Sequence, residues 1–190
     1  MRIIALIVLC IFNVTLQAQR VSPPNETLFL AIIESAGVEK HSLLDEGIIF
    51  NNRAATRLLK SEAHQEGFPK QLEMLSDNSV WYNLLMSLSE DTTRFKHKRS
   101  LADKTGIKFL EKEKLEQWYN ADGKLNWGVF RQQCSTPHGF YQISKISISK
   151  DKSKAVAIFS IFYDEETFAS MLLMLENKET WQVTNIVKIW

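Results

Sequence analysis

The sequence predicts an α+β fold, with N-terminal helices packed on a C-terminal four-stranded antiparallel meander. Three observations predict it. Trp81, Leu84, Leu85 and Leu88 recur at helical spacing. Leu28, Ile32 and Ala36 form a second helical stripe that stops at Gly37. From Tyr141 onward, apolar runs are divided by short polar turns at 150–153, 164–167 and 177–180.

The helical elements follow in chain order. Ser22-Pro23-Pro24 reads as a capping hydroxyl with proline in the first turn, and the helix it opens runs from about 24 to 36. Residues 38–47 read as a polar connector. Ile48-Ile49-Phe50 is too short for periodicity to choose between a brief strand and a buried loop. The composition of 53–63 favours a helix. Pro69 opens another, carrying Leu72 and Leu75, and Ser76-Asp77-Asn78-Ser79 offers caps for the helix that carries Trp81. Ile107–Leu110 reads as extended. Glu111–Tyr119 reads as helical with Leu115, Trp118 and Tyr119 turned inward, and Asp122-Gly123 ends that unit in a turn.

The C-terminal strands carry finer information. Tyr141 and Ile143 alternate on one parity, Ile146 and Ile148 on the other, so a bulge is expected near Ser144-Lys145. In the second strand Ala155, Ala157, Phe159, Ile161 and Tyr163 oppose Val156, Ile158 and Phe162. In the third, Leu172 and Met174 oppose Met171, Leu173 and Leu175. Both faces are apolar, whereas a sheet with one wet face shows polar residues at every second position. Both faces are therefore expected to be covered, one by the helices. The other cover is the middle segment, a sheet curling on itself, or a second subunit.

Met1-Arg2, the apolar run Ile3–Phe12 and the small Ala18 have the order of a secretion signal. The run is shorter than the roughly 20 residues of a membrane span, and Leu9 before Cys10 is larger than lipidation prefers. Residues 1–18 are thus expected to be cleaved, leaving 19–190 as one exported domain, periplasmic or secreted, without a stable membrane anchor. Its helical part spans about 22–120 and its sheet about 140–190. Cleavage removes Arg2 and leaves 22 basic against 22 acidic residues. A neutral chain lacks the basic excess that phosphate contacts require, which argues against nucleic acid. Charge is uneven: 19–93 holds 6 basic and 11 acidic residues, 94–124 holds 9 and 5. The cluster Arg94–Arg99 reads as a solvated loop or helix face, with an anionic-ligand or membrane-surface site as the alternative, and the basic middle segment as a dock for the acidic first half.

The search for chemistry yields little. Only Cys134 survives cleavage, so packing must supply stability without an intrachain disulfide. Free cysteine is among the most buried residue types, so an inert thiol is expected. Cys134 and His138 are the leading nucleophile and base candidates, but nothing marks an oxyanion hole or a positioned base. The four histidines, at 41, 64, 97 and 138, share no helical i, i+4 face, so no metal site is expected. No phosphate loop or serine elbow occurs, and no cofactor is expected. Asp164, Glu165 and Glu166 read as a wet hairpin tip. Asn25-Glu26-Thr27 is a glycosylation sequon.

From Trp127 onward, the order of Trp127 and Phe130, the Pro137-Gly139 turn, Ile143-Ser144-Lys145-Ile146, Ser149-Lys150-Asp151, Ala155-Val156-Ala157, Trp181 and Trp190 resembles the C-terminal part of uncharacterised exported proteins of Bacteroidetes-type bacteria. The resemblance covers about a third of the chain, lacks the Gly/Cys-rich hairpin of that family at 164–170, and implies export and fold but no activity. Helices followed by a sheet closing on Trp181-x-Val183 also resemble the nuclear-transport-factor-2-like cone fold, which implies a sheet-lined pocket or dimerisation. The functional expectation is an exported, non-enzymatic domain that binds a protein or envelope component, or pairs with a second copy through the apolar sheet. The alternative is a small-ligand or hydrolytic pocket on the sheet face using His138, Arg131 or Tyr163. No residue is assigned a catalytic role.

Overall fold

The computed structural model describes residues 26–39, 43–45, 47–48, 55, 58–59, 79–91, 95–96, 100–121, 124–134, 139–164 and 168–189. In chain order these form α1 (Glu26–Ser35), β1 (Leu43–Asp45), β2 (Gly47–Ile48), α2 (Val80–Glu90), β3 (Phe95–Lys96), α3 (Ser100–Thr105), β4 (Lys108–Leu110), α4 (Lys112–Glu116), α5 (Trp127–Gln133), β5 (Phe140–Ile143), β6 (Ser147–Ile148), β7 (Lys154–Phe162), β8 (Phe168–Asn177) and β9 (Trp181–Lys188). The fold is α+β, as the sequence predicts.

The meander is present. β7 pairs antiparallel with β5, β6 and β8, and β8 pairs antiparallel with β9. The first predicted strand is two short ones, because residues 144–146 face only 157–158 of β7. One extra residue on that side is the bulge expected from the parity change.

The sheet is larger than the predicted four strands. Its order is β4-β1-β5-β7-β8-β9, with β6 beside β7. β1 runs parallel to both β4 and β5, so the sheet is mixed. The expected polar connector at 38–47 therefore holds a sheet strand. Three residues show no period, and β1 is held by backbone pairing on both sides. The extended reading of 107–110 corresponds to β4. Gly47–Ile48 pairs with Phe95–Lys96 in a separate two-stranded ladder, which places a brief strand at the start of the 48–50 run. The helical part about 22–120 thus contains β1 to β4, and α5 lies between it and the meander.

Local chemistry fixes the helices. At the end of α1, Val38 N donates to Ile33 O and Gly37 N to Glu34 O, both at 3.1 Å. With Gly37 at φ 64°, this is a left-handed glycine cap, and Val38 packs into the same cluster as Ile33. Ser79 caps α2 by accepting from Tyr82 N at 3.0 Å, and Asn126 caps α5 by accepting from Val129 N at 3.1 Å. Tyr119, expected inward, is 42% exposed. It follows the end of α4 and makes a β-bridge with Leu125, so helical spacing no longer governs its direction.

The central strands are covered on both faces by helices of the same chain. Leu28, Phe29, Ile32 and Ile33 of α1 pack with Ala155, Ala157 and Phe159 of β7 and Leu173 and Leu175 of β8. Trp81, Leu84, Leu85 and Leu88 of α2, with Ala55 and Leu58, pack with Val156, Ile158, Leu172 and Met174. Each fully buried large side chain contributes about 1.5–3 kcal/mol. Lys154 Nζ bonds Glu176 Oε1 at 2.7 Å and lies 4.7 Å from the Trp81 ring centroid, tying the start of α2 to the sheet. That hydrogen bond also lowers the Glu176 pKa.

The secretion signal, the Ser22-Pro23-Pro24 cap, the sequon asparagine, the Pro69 helix, the Asp122-Gly123 turn and the Glu165–Thr167 turn lie outside the described residues. Of the 53–63 helix, Ala55, Leu58 and Leu59 are described and helical; of the basic cluster, Phe95 and Lys96 are described, in β3.

Candidate functional site

Three places in the fold carry more than apolar packing. The first is an aromatic cluster where β5 and β7 meet α4 and α5. Phe140 stacks on Phe162 with centroids 4.9 Å apart, and Trp127 stacks on Phe140 at 6.0 Å. Phe130 is edge-on to both Trp118 and Trp127 at 5.2 Å. Trp118 Nε1 donates to Gln133 Oε1 at 2.7 Å, which satisfies the indole N–H at the rim of the cluster.

Among the described residues, Cys134 packs at this cluster, and Arg131 and Tyr163 follow its members Phe130 and Phe162 in the chain. Cys134 caps α5, donates its N–H to Phe130 O at 2.8 Å and packs, half-buried, at the cluster's margin. Burial pushes its thiol pKa up, and Lys114 only partly opposes that. A thiol so held is protonated and a poor nucleophile at neutral pH. Arg131 lies exposed on α5, and Tyr163 is 39% exposed just past β7. His138 lies outside the described residues. Gly139, at φ 70°, lies so close to β7 that a Cβ there would stand 1.7 Å from Phe162 O and 3.1 Å from Tyr163 Cα. Gly139, at the entry to β5, is thereby pressed against the exit of β7. Among the described residues no three His, Cys, Asp or Glu side chains gather as metal ligands, and no helix is long and apolar enough to cross a membrane.

The second place is a buried polar node at the sheet's bulge. Ser144 Oγ accepts from Ile158 N at 2.8 Å and donates to Lys145 O at 2.6 Å, replacing ladder bonds that the bulge interrupts. Lys145, 6% exposed, reaches Asp91 at the end of α2. Ser160 and Ser170 share a buried hydroxyl bond of 2.7 Å across β7 and β8. The parity change signals the bulge in the sequence, but nothing there pairs Lys145 with Asp91.

The third place is the outer edge of β9, which pairs with β8 alone among the described residues. Met171↔Lys188 through Met174↔Asn185 keep one register, and Leu175↔Val183 begins another, leaving Thr184 as the extra residue of a bulge. Thr184 Oγ1 donates to Met174 O at 3.3 Å. The bulge switches faces: Trp181 and Val183 pack on the α1 side, Val187 and Ile189 on the α2 side. It leaves Ile186 39% exposed. The switch leaves no trace in the sequence, because Val183 and Val187 have the same parity and read as one alternating face.

Comparison with known proteins finds no matching family model, no matching curated protein and no matching solved structure.

Proposed function

We propose that this chain is an exported, non-enzymatic domain that binds another protein or a component of the cell envelope. The observation that carries the reading is the outer edge of β9, where exposed Ile186 lies on a strand paired on one side only among the described residues. An edge of this kind offers backbone donors and acceptors to an incoming chain. The apolar strands had suggested a partner or a second copy on the sheet faces. Since α1 and α2 pack those faces, support for a partner moves from the faces to the edge. The pocket reading draws less support, because the same helices fill both sides of β7 and β8 and burial keeps the Cys134 thiol protonated. The resemblance to exported bacterial proteins and the layout of residues 1–18 support the location.

Two measurements test this. Mass spectrometry of the chain expressed with its own N-terminus should find a mature end at Gln19 outside the cytoplasm; an intact cytoplasmic chain would refute export. A photo-crosslinking residue placed at Ile186, and separately at Tyr119, should trap a discrete heteromeric adduct in cells at one of these positions. Absence of any adduct, together with turnover of a small substrate by the purified protein, would replace the binding reading with the enzymatic one.

A further inference from the structure

We infer that the Asn185–Lys188 edge of β9 receives a short extended segment of a partner protein, with an apolar side chain opposite Ile186 and an acidic one opposite Lys188. The inference rests on the binding function proposed above and names the place and the chemistry.

The direction of the backbone bonds follows from one contact. Ile189 N donates to Ser170 O at 2.8 Å, in the same register as Lys188↔Met171. Bonded and non-bonded pairs alternate in an antiparallel ladder. Val187 and Asn185 therefore turn their backbone groups toward β8, and Ile186 and Lys188 turn theirs outward. These two residues also share a face: they pair with Leu173 and Met171, which belong to the α1-side cluster or pack against it. These backbone positions, unpaired on that side among the described residues, thus carry one exposed apolar side chain and one exposed cation, two residues apart. An antiparallel strand laid beside them places its own alternate side chains next to Ile186 and Lys188. Read from its N-terminus, the complementary segment is acidic, any residue, apolar.

The bulge at Thr184 limits the straight part of this edge to four residues. Pairing over four residues falls well short of the roughly 800 Å² per partner of a stable protein dimer. That disfavours a second copy held through this edge and suits a peptide segment, whose affinity comes from main-chain bonds and whose specificity comes from alternate side chains.

The test titrates the purified 15N-labelled protein with the peptide acetyl-TETVTS-amide and follows amide shifts and hydrogen exchange. The largest shifts are expected at Ile186 and Lys188, whose amide exchange slows by about tenfold or more. The lysine peptide acetyl-TKTVTS-amide should bind about tenfold more weakly, and Lys188→Glu should reverse that preference. Ile186→Pro should abolish the response while leaving the β8 ladder intact, because the lost N–H points outward. If that variant does not fold, Lys188→Glu alone decides. Unchanged Ile186 and Lys188 amides at millimolar peptide overturn the inference, as does a charge preference that Lys188→Glu leaves alone. Concentration-dependent shifts along β9 without peptide would assign the edge to a second copy and overturn it equally. A crosslinked partner at Tyr119 but not at Ile186 would preserve the binding function and refute this edge.

Discussion

Lys145 Nζ lies 2.6 Å from Asp91 Oδ1, and the pair joins the bulge of the sheet to the end of α2 across 54 residues of sequence. The two side chains are only 8% and 13% exposed. Removing one partner deletes a short charge-assisted hydrogen bond in a largely buried setting, and breaking such a pair typically costs about 3–5 kcal/mol, whereas replacing both with apolar groups of similar volume is often neutral or better. Asp91→Ala is therefore expected to destabilise by about 3 kcal/mol and the double replacement Asp91→Leu with Lys145→Met by less than about 1 kcal/mol. Urea unfolding of both single variants and the double one measures the coupling; additive losses would show that the pair does not act as a unit.

Gly139 and Gly37 share a left-handed backbone, with φ of 70° and 64°, but differ in surroundings. A Cβ at Gly37 meets nothing within 4 Å, whereas one at Gly139 collides with the Phe162 carbonyl. Gly37→Ala should cost only the backbone strain of about 1–2 kcal/mol. Gly139→Ala must also push β5 from β7, and is expected to cost about 4 kcal/mol or more. The separation between the two unfolding midpoints is the measurement, and equal losses would show that the Gly139 contact relaxes without cost.

How much of this was legible follows from where periodicity operates. Trp81, Leu84, Leu85 and Leu88 bury one helical stripe, and β7 to β9 are long enough for alternation and turns to declare them. The doubly apolar β7 and β8 correctly implied cover on both faces. They could not say that α1 takes one face and α2 the other, because helix stripes look alike whichever side they bury. β1 was hidden, since Leu43–Asp45 holds its place by backbone pairing, which leaves no side-chain signature. Among the candidate site residues, Cys134 is expected from its chemistry to be buried and is only half-buried, because it stands past the end of α5 at the margin of the aromatic cluster. The closeness of Gly139 to Phe162 depends on the β5–β7 register, which a glycine in the sequence does not specify.

Asp151 gives a pH prediction. Its Oδ1 accepts from Ser149 Oγ at 2.6 Å and from Ser153 N at 3.1 Å, and its Oδ2 from Ser153 Oγ at 2.8 Å. The Ser149 bond leads in holding the carboxyl pKa down, at about 2. A depressed folded value means that the turn's contribution is present above the unfolded pKa of about 3.9 and is lost as pH falls toward about 2. Asp151→Asn should flatten the stability profile in that window by lowering stability near neutrality, while the two proteins converge as pH falls toward about 2. NMR titration of the side-chain carbon should give a midpoint close to 2; a midpoint near 4 would show that the serine bonds do not persist in solution.

Cys134 gives the last prediction, and it bears on function. Burial raises its thiol pKa, with Lys114 opposing. For a group whose folded value is raised, the stabilising contribution is present below the unfolded pKa, about 8.5, and disappears as pH rises through the folded one. Stability should therefore decline in alkaline solution, and Cys134→Ala should remove that part of the decline. Iodoacetamide should label the folded protein more slowly at pH 7 than the urea-unfolded chain. Lys114→Ala should slow it further, by a few-fold, because a favourable cation is lost beside the thiolate. Labelling of the folded chain faster than the unfolded one would reveal an activated thiol. That result would return Cys134 to the position of a nucleophile and reopen the enzymatic reading. Slow labelling together with unaltered peptide binding by Cys134→Ala would place the thiol in the packing of Phe130 and Trp118 and outside the working surface.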